Sequence, residues 1–153
     1  MPKQYYAPMH TAEHILNQTM VRLFGTERAF NCHVEKKKSK CDYYFDRPLT
    51  QEEIQMIEEK VNEIIKQDLP VGEYFLPYDE AAKKFKIKVP KEENPTVRIV
   101  HVGDYDHCPC AGNHVEHTAE IGQFRIISTN FENGILRIRF KVTPPPESKE
   151  KYG

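Results

Sequence analysis

Ala12, Ile15, Leu16, Thr19 and Leu23 fall at the three-to-four-residue spacing of one helix face, which predicts a first helix from Met9 to Phe24. Gly25 is a natural stop for it. Ile54, Ile57, Val61, Ile64 and Ile65 form a second stripe of this kind. Its start is marked by Thr50 with Glu53 three residues later, the pattern of a capping box.

Elsewhere the pattern is that of strands. Cys41 to Phe45, Val71 to Leu76 and Thr96 to Val102 read as strands. Phe85, Ile87 and Val89 alternate with Lys84, Lys86 and Lys88, which predicts a half-exposed strand after a short helical turn over Asp79 to Lys84. Ile121 to Thr129 and Ile135 to Val142 predict a hairpin joined by Asn130 to Gly134, with Asn133-Gly134 as the turn signal. Glu35 to Lys40 is an exposed, lysine-rich loop. The proline-rich, charged stretch 144–153 is expected to be a disordered tail. The sum is an α+β fold, a single domain over residues 1–143 with a mainly antiparallel sheet packed against helices.

The 153 residues suffice for a real core, and 39% hydrophobic with 29% charged residues is an ordinary globular composition. The formal net charge of −1 gives no global attraction for polyanions, so any nucleic-acid contact must come from a local basic patch. No apolar run approaches the ~20 residues of a membrane helix. The opening Met1-Pro-Lys-Gln-Tyr-Tyr6 lacks a signal-peptide core, which predicts a cytoplasmic protein. Cys32, Cys41, Cys108 and Cys110 are then expected to be reduced thiols, suited to metal binding or inert packing rather than to disulfides. No obligate protein partner is evident.

Two pairs of metal-binding residue types stand out: His10-x-x-x-His14 and Cys110-x-x-x-His114. On a helix His10 and His14 lie one turn apart and can face one ion. Ala111 and Gly112 are small enough for the second segment to curl around the same ion. Imidazole and thiolate donors suit tetrahedral zinc. A single spaced histidine pair arises easily by chance; two compatible pairs in a chain with 7 histidines and 4 cysteines carry more weight. The bland alternative makes the histidines polar helix residues and Cys110 a core thiol. A metal that only staples the fold is a further alternative, since four protein ligands favour a structural site. His10-Thr-Ala-Glu-His14 also matches the inverted zinc-peptidase pattern, with Glu13 as general base, although a carboxylate would then be the expected third ligand.

These segments resemble a known family. His10-Thr-Ala-Glu-His-Ile-Leu16 resembles the H-T-A-T-H-L-L opening of the alanyl-tRNA synthetase editing domain. Gly103-Asp104, Cys110-Ala-Gly-Asn-His-Val115 and Thr118-Ala-Glu-Ile-Gly122 with Phe124 resemble its later G-D, C-G-G-T-H-V and T-G-E-I-G-x-F motifs, in the same order. The resemblance covers roughly residues 9 to 140 and is that of a free-standing, AlaX-type protein. It implies trans-editing: hydrolysis of the ester in mischarged tRNA, typically serine or glycine on alanine tRNA. It also implies that His10, His14, Cys110 and His114 hold Zn2+. Asn113 stands where the family has threonine, and Ala111 and Ala119 where it has glycine. The related threonyl-tRNA synthetase domain shares both ligand pairs, so serine on threonine tRNA is an alternative substrate.

A synthetase pocket for alanine rejects serine by only ~100-fold, because serine merely adds a hydroxyl. A second site that requires the hydroxyl can do better. Zinc in such a site either positions the aminoacyl group or activates water. If it positions substrate, Glu13 is the candidate to orient the attacking water. Cys108, Asn113 and His117 are candidates for contacts around the ligands. Lys36, Lys37, Lys38 and Lys40 form the densest basic cluster, and Arg137, Arg139 and Lys141 alternate on the last strand. Either patch could track phosphates at the tRNA acceptor end. A non-catalytic, zinc-stapled RNA-binding module is the rival reading. Tyr5, Tyr6, Tyr43 and Tyr44 are expected to be packing aromatics.

Overall fold

The computed structural model describes residues 4–153, so the first three residues of the opening from which a missing signal peptide was read lie outside it. Helix α1, Ala7–Phe24, carries the first apolar stripe and is buried almost all round: Met9, Ala12, Ile15, Leu16 and Met20 are fully enclosed. Leu23, the last member of the expected stripe, is exposed instead. Gly25 ends the helix in the left-handed conformation, its N–H returning to the Val21 carbonyl. Helix α2, Gln51–Lys66, starts with the capping box read from its sequence: Thr50 Oγ1 accepts from Glu53 N–H at 3.1 Å, and Glu53 Oε1 accepts from Thr50 N–H at 2.9 Å. It buries Ile57, Val61, Ile64 and Ile65 against α1 and the sheet; each such side chain contributes roughly 1.5–3 kcal/mol on leaving water.

The strands form two antiparallel sheets rather than one. Strands β1 (Asn31–His33), β2 (Ser39–Tyr44), β6 (Gln123–Glu132) and β7 (Ile135–Thr143) make the first, in the order β1-β2-β7-β6. Strands β3 (Val71–Pro77), β4 (Thr96–Val102) and β5 (Asp106–Pro109) make the second, in that order. Inward-facing Cys41, Tyr43, Leu136, Ile138 and Phe140 of the first sheet meet α1 and α2 in the main core. The β6–β7 hairpin forms, but β6 continues to Glu132. Its connection is only Asn133-Gly134, both at positive φ (52° and 78°), as a two-residue hairpin turn requires. Ile121 belongs to a 3-10 turn, Thr118–Ile121, not to the strand.

Two expectations are corrected. The alternating stretch Phe85 to Val89 pairs with no strand. It follows helix α3, Tyr78–Lys84, and its alternation has another cause: Phe85 and Ile87 pack on a small satellite core of Ala81, Val97 and Ile99. The expected disordered tail forms helix α4, Pro146–Tyr152. Ser148 is fully buried and donates to the Glu120 carbonyl at 2.6 Å, while Lys151 and Tyr152 bond the Glu120 carboxylate at 2.9 and 2.8 Å. Burial alone would raise the Glu120 carboxyl, but Lys151, Tyr152 and the N–H groups of Glu116 and His117 bring it down to about 2.

Candidate metal centre

Helix α1 brings His10 and His14 to one face, 4% and 3% exposed, so both rings are withdrawn from water. The loop after β5 brings Cys110 and His114 against them. One ligand atom from each of the four residues falls within 4.8 Å of all the others; among the described residues this group can hold a metal ion. Cys110 Sγ lies 3.6 Å from His10 Nε2 and 3.5 Å from His114 Nε2. Tetrahedral donors at ~2.0–2.3 Å from zinc stand ~3.3–3.6 Å apart, so these spacings already fit such an ion.

Two of the three imidazoles are held by a hydrogen bond at the other nitrogen. His10 Nδ1 is 2.9 Å from the Asn113 carbonyl, which can only accept; Nδ1 therefore carries a proton, and Nε2 is the nitrogen turned to the cluster. His114 Nδ1 is 2.9 Å from Thr11 Oγ1, which also receives the Val115 N–H at 3.1 Å. His14 Nδ1 is buried without a well-aligned hydrogen bond and faces Asp106 Oδ2 at 3.5 Å. Asp106 is itself buried and is held by Arg28 Nη1 at 2.6 Å and Gln18 Nε2 at 2.8 Å.

The loop needs its own restraints. Arg98 Nη1 donates to the carbonyls of Cys110 and Gly112 at 2.7 and 2.9 Å, and its Nε pairs with Glu73. Asn113 ties the loop to the chain before α1: its Oδ1 accepts from Tyr5 N–H and its Nδ2 donates to the Tyr5 carbonyl, both at 2.7 Å. The Tyr5 ring lies on His10, with centroids 4.3 Å apart. Gly112 is pressed into this packing. A Cβ there would stand 2.5 Å from His10 Cε1 and 2.7 Å from Tyr5 Cδ2, so only glycine fits without displacement.

The electrostatics favour a metal-binding thiolate. Burial would push the Cys110 thiol up, but hydrogen bonds from His10, His114 and His14 and the charge of His14 bring it down to about 3. Burial and the charges of His14 and His10 push His114 down to about 3, against its bond to Cys110. For His14, burial works to lower the pKa, but Glu13, Asp106 and Cys110 together lift it well above the ordinary 6.5. Burial would raise Asp106, yet His14 and Arg28 hold it far below the usual carboxylate range.

The other sequence-marked residues divide. Asn113 does touch the ligands. Glu13 stands outside the four-residue group, its Oε2 accepting from Asn17 Nδ2 at 2.9 Å. Cys108 Sγ turns to the Pro109 carbonyl at 3.4 Å. His117 pairs with Asp68, on the turn after α2, rather than with a ligand. Lys36, Lys37 and Lys38 are exposed on the β1–β2 connection. Lys40 and Arg137 are engaged by Asp42, Arg137 at 2.7 and 3.0 Å and Lys40 at 3.5 Å; Arg139 donates to Asn130 Oδ1 at 3.1 Å. Thr11, Asp106, Arg28 and Arg98 were not singled out from sequence. Thr11 alone carried a local signal, lying inside the His10–His14 motif. No helix among the described residues is long and apolar enough to cross a membrane.

The chain is similar to known proteins over most of its length. The model of the "Threonyl and Alanyl tRNA synthetase second additional domain" matches residues 97–139, which include Cys110 and His114. The alanine–tRNA ligase of Fervidobacterium nodosum is 36% identical over 132 residues, 84% of this chain and 15% of the ligase. That of Petrotoga mobilis is 33% identical over the same shares, and that of Aeropyrum pernix 34% identical over 139 residues, 86% of this chain and 15% of the ligase. The chain thus spans about 15% of the length of the ligases it matches. Over residues 97–139 the chain is thus similar to the second additional domain of threonyl and alanyl tRNA synthetases, and over most of its length it is similar to a segment of alanine–tRNA ligases.

Proposed function

We propose that the chain is a zinc-dependent aminoacyl-tRNA deacylase acting in trans, which hydrolyses the ester linking serine or glycine to alanine tRNA. One observation carries this reading: three imidazoles and a thiolate converge within 4.8 Å in a chain similar over 84% of its length to alanine–tRNA ligases. A cytoplasmic setting, where tRNA is found and thiols stay reduced, belongs to the same proposal.

His10, His14, Cys110 and His114 would hold the ion. Bound zinc would supply Lewis acidity and a fixed positive charge for the aminoacyl end. Asn113 and Thr11 hold the imidazoles of His10 and His114 by hydrogen bonds and the Asp106 carboxylate faces that of His14, so little ordering is left for the moment of binding. Glu13, its rotamer fixed by Asn17, orients the attacking water in this proposal and receives its proton. Lys36, Lys37 and Lys38 meet acceptor-end phosphates, with Arg139 as a further contact. Lys40 and Arg137 contribute less, because Asp42 already neutralises much of their charge.

Two observations favour rival readings. Four protein donors would close a tetrahedral zinc site, as in a structural centre, and this favours a non-catalytic RNA-binding module. The matching family model spans threonyl as well as alanyl synthetases, which favours serine on threonine tRNA as substrate. Deacylation of seryl-, glycyl- and alanyl-tRNA(Ala) and of seryl-tRNA(Thr) separates them. We expect loss of serine or glycine from alanine tRNA with alanine spared, and no turnover by a His10→Ala/Cys110→Ala variant. Turnover of seryl-tRNA(Thr) alone reassigns the substrate. Tight tRNA binding without turnover by zinc-loaded protein supports the binding module.

A further inference from the structure

Cys32 and Cys41 lie outside the four-residue metal group. They sit directly opposite each other on the antiparallel strands β1 and β2, and their sulfurs are 3.4 Å apart. Both are free thiols. Neither belongs to the His10, His14, Cys110, His114 group, and Cys108 points elsewhere, to the Pro109 carbonyl. Strand β1 is three residues long and lies at the edge of its sheet, hydrogen-bonded to β2 alone. The two cysteines mark the neck of the hairpin whose loop carries Lys36, Lys37 and Lys38.

We propose that Cys32 and Cys41 are a redox modification site: a reversible disulfide that a low-molecular-weight disulfide installs across the neck of this hairpin. The two thiols have different parts. Cys32 is partly exposed and is reached first; Cys41 is sealed in the core and is reached only through Cys32. The Cys32 thiolate attacks one sulfur of the small disulfide, forming a mixed disulfide and expelling the first small thiolate. Cys41 then attacks the Cys32 sulfur, closing the protein disulfide and expelling the second. Two protein thiols lose two electrons and two protons, and one small disulfide becomes two thiols.

The geometry also sets how firmly such a bond holds. Residues directly opposite across antiparallel strands keep their Cβ atoms ~4.5–5.5 Å apart, whereas a disulfide draws them to ~3.5–4.5 Å. The neck must close by about 1 Å between the centres of these ranges, which leaves a bond that thiols reduce easily. A short edge strand with one neighbour can make that movement. The inference does not depend on the enzymatic reading, because the bond is observed chemically.

The test is incubation of the full chain, with zinc added to cover Cys110, in glutathione disulfide, followed by thiol counting, intact mass and non-reducing peptide mapping. Trypsin cuts at the lysines between the two cysteines, so their peptides stay together only through the bond. We expect two of the four thiols to be lost, the mass to fall by two hydrogens, the Cys32 and Cys41 peptides to be joined, and reduced glutathione to reverse all three changes. Cys32→Ser should abolish the cross-link. Cys41→Ala should halt at a glutathione adduct on Cys32; because Cys41 is buried, the wild-type peptide map stands as evidence even if that variant folds poorly. Four retained thiols, a lasting glutathione adduct on wild-type Cys32, or a cross-link between Cys108 and Cys110 would overturn the proposal.

Discussion

His10 and His14 take their relative placement from a buried helix, whereas Cys110 and His114 take theirs from a loop that has no regular structure of its own. On α1 the one-turn spacing aims both rings the same way, and the enclosed residues Met9, Ala12, Ile15 and Leu16 fix the helix from the other sides. The loop has no such scaffold. Arg98 bonds two of its carbonyls, Asn113 ties it to Tyr5, and Gly112 lets it lie flush on His10. Packing secures one half of the centre and a few polar clamps secure the other, so substitutions remote from the ligands should affect the loop half more.

The largest expected effect removes one ligand from each half. A His10→Ala/Cys110→Ala variant should retain no stoichiometric metal after gel filtration, measured by elemental analysis, while keeping its far-ultraviolet circular dichroism. A comparison of the supports comes next. Arg98→Ala on the loop side and Asp106→Asn on the helix side should each weaken metal binding by about 10–100-fold, the usual range for groups that orient ligands. Competition with a chromophoric chelator reads both. Arg98→Ala should leave the melting temperature of the metal-free protein nearly unchanged. Asp106→Asn should lower it, since Arg28 loses a buried partner.

Gly112→Ala is a gentler probe of the loop. Its methyl group would meet His10 and Tyr5, so the loop must lift; about 1–3 kcal/mol of overpacking is expected, seen as a lower urea midpoint together with weaker metal binding. Alanine at Gly25, which faces open space on the helix side, should leave metal affinity unchanged.

Acid should separate the metal centre from the rest of the fold. His14 is raised well above 6.5 without metal, so the ion must displace its proton; affinity should fall as pH drops through and below neutrality. Glu120 behaves in the opposite sense. Its pKa is depressed to about 2, so its contribution to docking α4 is complete above its ordinary 4.5 and is lost only as pH falls toward 2. Metal release followed by fluorescence of a zinc indicator should therefore precede loss of amide-exchange protection in α4. The smallest effect is at the surface. Replacing Lys36, Lys37 and Lys38 by alanine should lower the salt slope of tRNA binding by about 1 per lysine and leave metal content unchanged.

What the sequence disclosed follows the same division. Helical spacing of His10 and His14, the Thr50–Glu53 capping box and the Asn133-Gly134 turn are local patterns, and each is legible within a few residues. Asp106 was not legible as a support for His14, because the partners that give it meaning, Arg28 and Gln18, lie 78 and 88 residues away in sequence. Helix α4 was hidden for a similar reason: its composition reads as disordered, and its order comes from Glu120, which Lys151 reaches across 31 residues. Phe85 and Ile87 misled in the other direction, since alternation shows which side chains turn inward but not whether a strand lies alongside to pair.

The most direct test of the metal centre is X-ray absorption at the zinc edge on protein loaded with one equivalent of zinc. Three nitrogen donors at ~2.0–2.1 Å and one sulfur at ~2.3 Å are predicted, with the sulfur shell lost in Cys110→Ala and kept in Cys108→Ser. Two sulfur donors, or a shell of oxygen and nitrogen alone, would contradict the assignment of His10, His14, Cys110 and His114 as the ligands.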